Sequence, residues 1–165
     1  MNKQEIYTFL NENGVSYECT EHIAVYTVEE AESVSIPHSE CNAKNLFLRD
    51  DKKRNYYLFT LPYHRTVSIK ELRELIGARP LRFASEEDLW DILRLKKGSV
   101  TPLGLLNDEE RKVKFYLDSY FRDGYMNIHP NENTATIHIA TSDLLQLLTE
   151  HGIKTEYLEL ENTAE

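Results

Sequence analysis

Apolar positions along this chain of 165 residues follow two periods, and the change from one to the other marks the elements. Ile6, Phe9 and Leu10 form a helical stripe, with Asn2 and Glu5 as a start signal and Gly14 as a stop. Thr27 with Glu30 opens a second, short helix. Ser68 with Glu71 opens a third, whose core face is Leu72, Leu75 and Ile76 and whose stop is Gly77. Ser85 with Asp88 opens a fourth, carrying Leu89, Ile92 and Leu93. Thr141 or Ser142 caps a last helix with Leu144, Leu145, Leu147 and Leu148, ended by Gly152.

Strand signals fill the intervals. They are SYECT (16–20), NLFLR (45–49), YYLFTLP (56–62), LRFAS (81–85), VKFYLD (113–118), YMNIHP (125–130), ATIHIA (135–140) and TEYLEL (155–160). Strands crowd together at 44–62 and again at 113–140, which favours a mixed sheet with helices packed over it and not a strict βαβ repeat. The pattern predicts one α/β (α+β) domain over 1–160, with a loose tail at 161–165.

Composition narrows the class. Hydrophobic residues make up 41% and charged ones 28%, the balance of a chain that folds around a core. No apolar run approaches the ~20 residues that span a bilayer. The N-terminus lacks a basic start and an apolar signal core. Cys19 and Cys41 show no CxxC spacing and read as packing residues in a reducing compartment, so the expected location is cytoplasmic. A net charge of −9 argues against a general DNA or RNA binder, while leaving room for one local basic patch.

Several chemistries lack their motifs. No GxxxxGK[ST] is present, and no GxGxxG follows a strand, so nucleotide cofactors have no support. HExxH and GxSxG are also missing. The six His are scattered, and no ligand set assembles from their spacing, so neither metal nor cofactor is expected.

Three segments stand out. In AKNLFLRD, alternation puts Lys44 on the face of Leu46 and Leu48. Such a Lys ordinarily lays its stem on apolar surface and keeps its charge in water. The sharper alternative is a partly desolvated ammonium at a strand end, pointed into a cleft, where it binds an anion or stabilises developing negative charge. Asn45 beside it offers amide donors and an acceptor.

In YMNIHPNENTATIHI, His129 shares a face with Tyr125 and Asn127 and precedes Pro130, and PNENT reads as a hairpin turn. His129 reads either as a structural hydrogen-bonder or as a site residue. His138 is taken as sheet surface, facing out with Thr134 and Thr136. In KKGSVTPLGLLND, Gly98 permits positive φ, Ser99 and Thr101 bring hydroxyls, and Pro102 fixes the exit. The loop is either a plain connection or a backbone cradle for a substrate oxygen.

AKNLFLRD, GSVTPLGLLND and NIHPNENTATIHI, in that order, together with EHIAVYTVEEAE, resemble the freestanding bacterial aminoacyl-tRNA deacylases of the YbaK-like family, which are related to the editing insertion of prolyl-tRNA synthetase. The branch resembled most clears alanine from mischarged proline tRNA, and the likeness covers nearly the whole chain. It implies a mostly antiparallel, barrel-like sheet flanked by helices, and metal-independent hydrolysis of the aminoacyl ester. By the same resemblance, Lys44, Asn45, Gly98, Ser99 and His129 fall on the catalytic positions. His22, Val25, Tyr26, Thr27, Leu46, Val100, Thr101 and Pro102 fall on substrate-binding ones, with Leu105 as a further pocket wall. Ile23 and Ala24 replace prolines of that branch, and Asn131 with Glu132 replaces a less polar pair.

The implied partner is the aminoacylated acceptor end of a tRNA, with a synthetase or elongation factor as a further one. Lys96 and Lys97 are the expected tRNA contacts, with Arg94 beside them and Lys52, Lys53 and Arg54 as the other basic run. Two alternatives stand beside this reading. One is a non-catalytic binding module of the same fold. The other is a deacylase for serine, glycine or cysteine.

Overall fold

A computed structural model describes residues 1–25, 30 and 33–160. The expected helix at Thr27 falls largely outside that range, as does the tail 161–165.

Helix α1 (Lys3–Glu12) starts where its signals stand. The Asn2 side chain accepts from the Glu5 N–H and the Glu5 side chain from the Asn2 N–H, a reciprocal cap. Its stripe buries Ile6 and Leu10. Strand β1 (Tyr17–Glu21) follows, then β2 (Ala43–Asp50) and β3 (Tyr56–Pro62). Helix α2 (Ile69–Ile76) is capped by Ser68 and ends on Gly77 at φ 66, a left-handed turn that costs glycine little. Only part of its expected core face is used: Leu72 is fully buried, but Leu75 is 48% exposed.

After β4 (Leu81–Phe83), helix α3 (Glu86–Asp88) opens under Ser85 and widens into a π turn over Leu89–Leu93. The extra residue in that turn keeps Leu89, Ile92 and Leu93 inside while leaving Trp90 half exposed. A 3-10 segment, Pro102–Asn107, leads to β5 (Val113–Asp118), β6 (Tyr125–Ile128) and β7 (Ala135–Ala140). Helix α4 (Thr141–Glu150) begins directly off β7. Neither Thr141 nor Ser142 caps it: Ala140 holds the N-cap position without a side-chain bond, and the Thr141 N–H donates to the Gly124 carbonyl. Strand β8 (Thr155–Leu158) completes the described chain.

The strands of the described residues form two sheets. One is three-stranded, in the order β1-β7-β6, and the other five-stranded, in the order β4-β2-β3-β5-β8. Among the described residues β3–β5 and β5–β8 are parallel and the other pairs antiparallel, so the sheet system is mixed and mostly antiparallel. Neither sheet closes on itself, and "barrel-like" therefore describes the shape only loosely.

The main core lies between the two sheets. Phe47, Leu58 and Phe115 come from one sheet, Met126, Ile137 and Ile139 from the other, and α1 and α4 seal the ends. A second core on the far side of the five-stranded sheet packs Leu48, Phe59 and Tyr116 under Leu72 of α2. An isolated parallel bridge, Asn42 to Asn127, ties the start of β2 to β6. This seam between the sheets positions the site.

Candidate functional site

The seam opens into a cleft of about 480 Å³, within the range of pockets that hold small ligands. Its placement follows from the bridge. From Asn42 and Asn127 the two strands run the same way. At ~3.3 Å per residue, Asn45 lies about 10 Å and His129 about 7 Å beyond the bridge, on neighbouring strands. Both line the cleft, with His22, Val25 and Thr136. Val34, Ser35, Ile36 and Ser39 form the wall facing them, and Tyr63 stands at the edge.

Each polar group has a defined orientation. The His129 Nδ1 lies 2.8 Å from the Ala135 carbonyl, which can only accept, so Nδ1 carries the hydrogen and Nε2 keeps its lone pair. Burial pushes the His129 pKa below the usual histidine value and outweighs the opposing Ala135 bond, with the nearby His22 adding to the decrease. His129 is therefore a neutral imidazole at neutral pH. The His22 Nδ1 likewise donates to the Ile23 carbonyl at 2.8 Å, and its Nε2 meets the Thr136 hydroxyl at 2.9 Å. The Asn45 Oδ1 accepts from the Thr60 hydroxyl at 2.5 Å, which leaves Nδ2 as a donor with no partner among the described residues. The site thus offers a neutral acceptor, His129, and a fixed donor, Asn45.

Lys44 sits next to Asn45 but faces the other way. Alternation turns it from Ala43 and Asn45, which line the cleft, and its ammonium donates to the Arg65 carbonyl. That loop is itself held by an ion pair, Arg65 Nε to Asp118 Oδ2 at 2.5 Å, with Asp118 fully buried. Burial, then the charge of Arg65, lowers the Lys44 pKa. The same alternation turns Leu46 towards the second core, and Leu105 is buried in the main one.

The Gly98–Pro102 loop lies behind the 130–134 turn. Gly98 adopts φ 87, and the Ser99 N–H donates to the Lys96 carbonyl. Thr101 caps the 3-10 segment with its hydroxyl, and Pro102 is buried, while Val100 packs on the main core. Ser99 lines a second cavity, of about 500 Å³, together with Arg94, Lys96, Lys97, Trp90 and Glu132. Two bonds join this cavity to the cleft: the Asn133 amide to the Val25 carbonyl at 3.1 Å and the His22 N–H to the Thr134 carbonyl at 2.9 Å. The other basic run, Lys52 to Arg54, sits in the turn at the far end of β2, away from both. Tyr26 and Thr27 lie outside the described residues.

Several positions come out differently from the sequence reading. His138 is not bare sheet surface. The register Asn127 to His138 puts β7's Thr136 and His138 on the same face as Asn127, so Thr136 enters the cleft and His138 stacks between His38 and Tyr125. Asn42, Tyr63 and the Val34–Ser39 wall were missed because the signal that gathers them is long-range pairing. Cys19 is exposed, with its sulfur 3.2 Å from the Tyr7 hydroxyl, so it is not a core residue. Asn131 and Glu132 have structural work: the Asn131 amide donates to the Met1 carbonyl, and Glu132 accepts from the Lys3 N–H.

Residues 22–147 match the model of the aminoacyl-tRNA editing domain family. The chain is 37% identical over 159 residues to the prolyl-tRNA editing protein ProX of Acetoanaerobium sticklandii, covering 96% of this chain and 97% of that protein. It is 39% identical over 155 residues to prolyl-tRNA synthetase associated domain-containing protein 1 of Danio rerio, covering 90% and 82%. Its fold is similar to a solved structure described as a candidate trans-editing enzyme for prolyl-tRNA synthetase, with a TM-score of 0.70 at 20% identity over 96% of this chain and 97% of that one.

Proposed function

Since the chain belongs to the aminoacyl-tRNA editing domain family, we propose that it acts in trans on mischarged proline tRNA, hydrolysing the ester of alanyl-tRNA(Pro) and sparing prolyl-tRNA. The observation that carries this reading is the convergence of Asn45 and His129 in one cleft of about 480 Å³, one as a donor and the other as a neutral acceptor.

The terminal aminoacyl-adenosine enters the cleft. Water attacks the ester carbonyl carbon, the carbon–oxygen bond to the ribose breaks, and the ribose oxygen takes up a proton. Negative charge develops on the carbonyl oxygen, where the Asn45 Nδ2 donates to it; a donor of this kind is worth about 3 kcal/mol in the transition state. The His129 Nε2 accepts from the attacking water or from a ribose hydroxyl. Val25, Val34 and Ile36 set the size limit on the amino acid. Binding alone discriminates small apolar groups by only ~1–3 kcal/mol per methylene, which is the reason an editing step is useful.

Lys44 acts from behind the strand, where its bond to the Arg65 carbonyl fixes the loop that carries Tyr63 at the edge of the cleft. The Gly98–Pro102 loop, with Lys96 and Lys97, takes the acceptor strand that runs out of the cleft. The reaction drawn this way routes no step through a metal.

The test is deacylation of alanyl-tRNA(Pro) with prolyl-tRNA(Pro) as control, for wild type and for Lys44→Ala and Asn45→Ala. Loss of alanine alone, suppressed in both variants, is the expected result. Failure on alanyl-, seryl-, glycyl- and cysteinyl-tRNA(Pro) alike would leave a binding module and sink the enzyme reading.

A further inference from the structure

On the opposite side of the Val34–Asn42 wall from the cleft, Glu18 of β1, His38 of the wall and His138 of β7 converge. One ligand atom from each lies within 4.8 Å of the others. Sequence spacing hides the group, because 20 residues separate Glu18 from His38 and 100 separate His38 from His138 (38 − 18 and 138 − 38). The register Glu18 to His138 across β1 and β7 creates it, and the left-handed backbone of His38, at φ 59, brings in the third side chain.

The surroundings of His138 resemble those of a metal ligand. The Asn127 Nδ2 donates to the carbonyls of Pro37 and His38 and to the Asn42 Oδ1, at 2.8–3.0 Å. With its nitrogen committed, Asn127 presents Oδ1 to the His138 Nδ1 at 2.8 Å. That bond places the hydrogen on Nδ1 and leaves Nε2 as the lone pair. Metal-binding histidines are oriented in just this way, by a carbonyl on the ring nitrogen that does not ligate. His38 stacks on His138 at 4.0 Å, and its Nε2 lies 2.8 Å from the Glu18 Oε2.

The geometry points to a divalent transition-metal site, with Zn²⁺ as its natural occupant, formed by Glu18, His38 and His138. Two His and one carboxylate are a known zinc set, with a fourth position left for water. The edge of a tetrahedron with bonds of about 2.1 Å is roughly 3.4 Å, so on binding the group closes by about an ångström and the exposed His38 ring turns out of its stack on His138, which brings both lone pairs onto the ion. On binding, the hydrogen that the His38 Nε2 points at Glu18 moves to Nδ1, which frees the Nε2 lone pair and the Glu18 carboxylate for the ion. The ion staples the cleft wall to the three-stranded sheet from behind. It touches neither Asn45 nor His129, so this site stands or falls independently of the proposed reaction.

The test is titration of the chelator-stripped full-length chain with ZnCl2, followed by calorimetry and by thermal unfolding. One equivalent should bind and raise the Tm. Glu18→Gln, an exposed change that leaves the fold alone, and His138→Ala should each weaken binding at least ~10-fold. His64→Ala, on the Tyr63–Arg65 loop, should change nothing. Absence of saturable binding by about 100 μM Zn²⁺, or binding kept in both Glu18→Gln and His138→Ala, would overturn the assignment.

Discussion

His129 illustrates how one buried side chain links stability to pH. Its folded-state pKa lies below the ordinary value of about 6.5 expected in the unfolded chain. Between those two values the unfolded chain holds more protons, so stability is complete above about pH 6.5 and falls as the pH drops. One group contributes at most about 1.4 kcal/mol per pH unit in that window. Thermal unfolding at pH 7.5 and pH 5 should show a fall in Tm that is smaller in His129→Gln, with His138 supplying part of the remainder in the same direction. Asn45→Ala removes the proposed donor and should lower kcat about 100-fold with little change in KM. Lys44→Ala should also lose most activity, and a variant that turns over like wild type would take Lys44 out of the mechanism. A buried glycine gives a purely steric test. A methyl group at Gly104 runs into the Leu95 side chain, so Gly104→Ala should destabilise by about 1–3 kcal/mol in denaturant unfolding, through overpacking.

Helices and strands were legible where the signal is local. The Asn2 and Ser68 caps, and β3, β5 and β7, stand where alternation and cap residues place them. Local pattern failed at Leu75, whose spacing fits the α2 stripe but whose position lies beyond the edge of the second core. Leu75→Lys should therefore change stability by no more than about 0.5 kcal/mol, which denaturant unfolding can check. The π turn at 89–93 was hidden because the buried trio fits helical spacing either way. For the site, Asn45 and His129 were readable as polar residues at strand ends. Their meeting was not, because it depends on a bridge between residues 42 and 127. What covers Thr136 and His138, which do face away from the core as alternation places them, was equally hidden. Period two divides a strand into two faces, and only the partner's register says which face is covered.

At the scale of the molecule, a net charge of −9 has to coexist with a polyanionic substrate. The arrangement fits an enzyme that touches only the end of its tRNA, since Arg94, Lys96 and Lys97 cluster at one cavity beside the cleft. Few phosphate contacts mean weak binding with a shallow salt dependence. The double change Lys96→Glu and Lys97→Glu should raise KM for aminoacyl-tRNA several-fold and flatten its response to salt, while cleavage of a small aminoacyl ester stays unaltered. Steady-state kinetics at two ionic strengths would separate these outcomes, and an equal loss on both substrates would place the two lysines in the chemistry instead.

The wall of the cleft is anchored through main-chain atoms. Asn127 grips the carbonyls of Pro37 and His38, whatever side chains stand nearby. Val34, Ser35, Ile36 and Ser39 can therefore be exchanged while the clamp stays in place. A combinatorial library at these four positions, selected against different mischarged tRNAs, is a direct route to editors with new amino-acid preferences. Drift at the same positions would let lineages diverge in what they discard while keeping one scaffold.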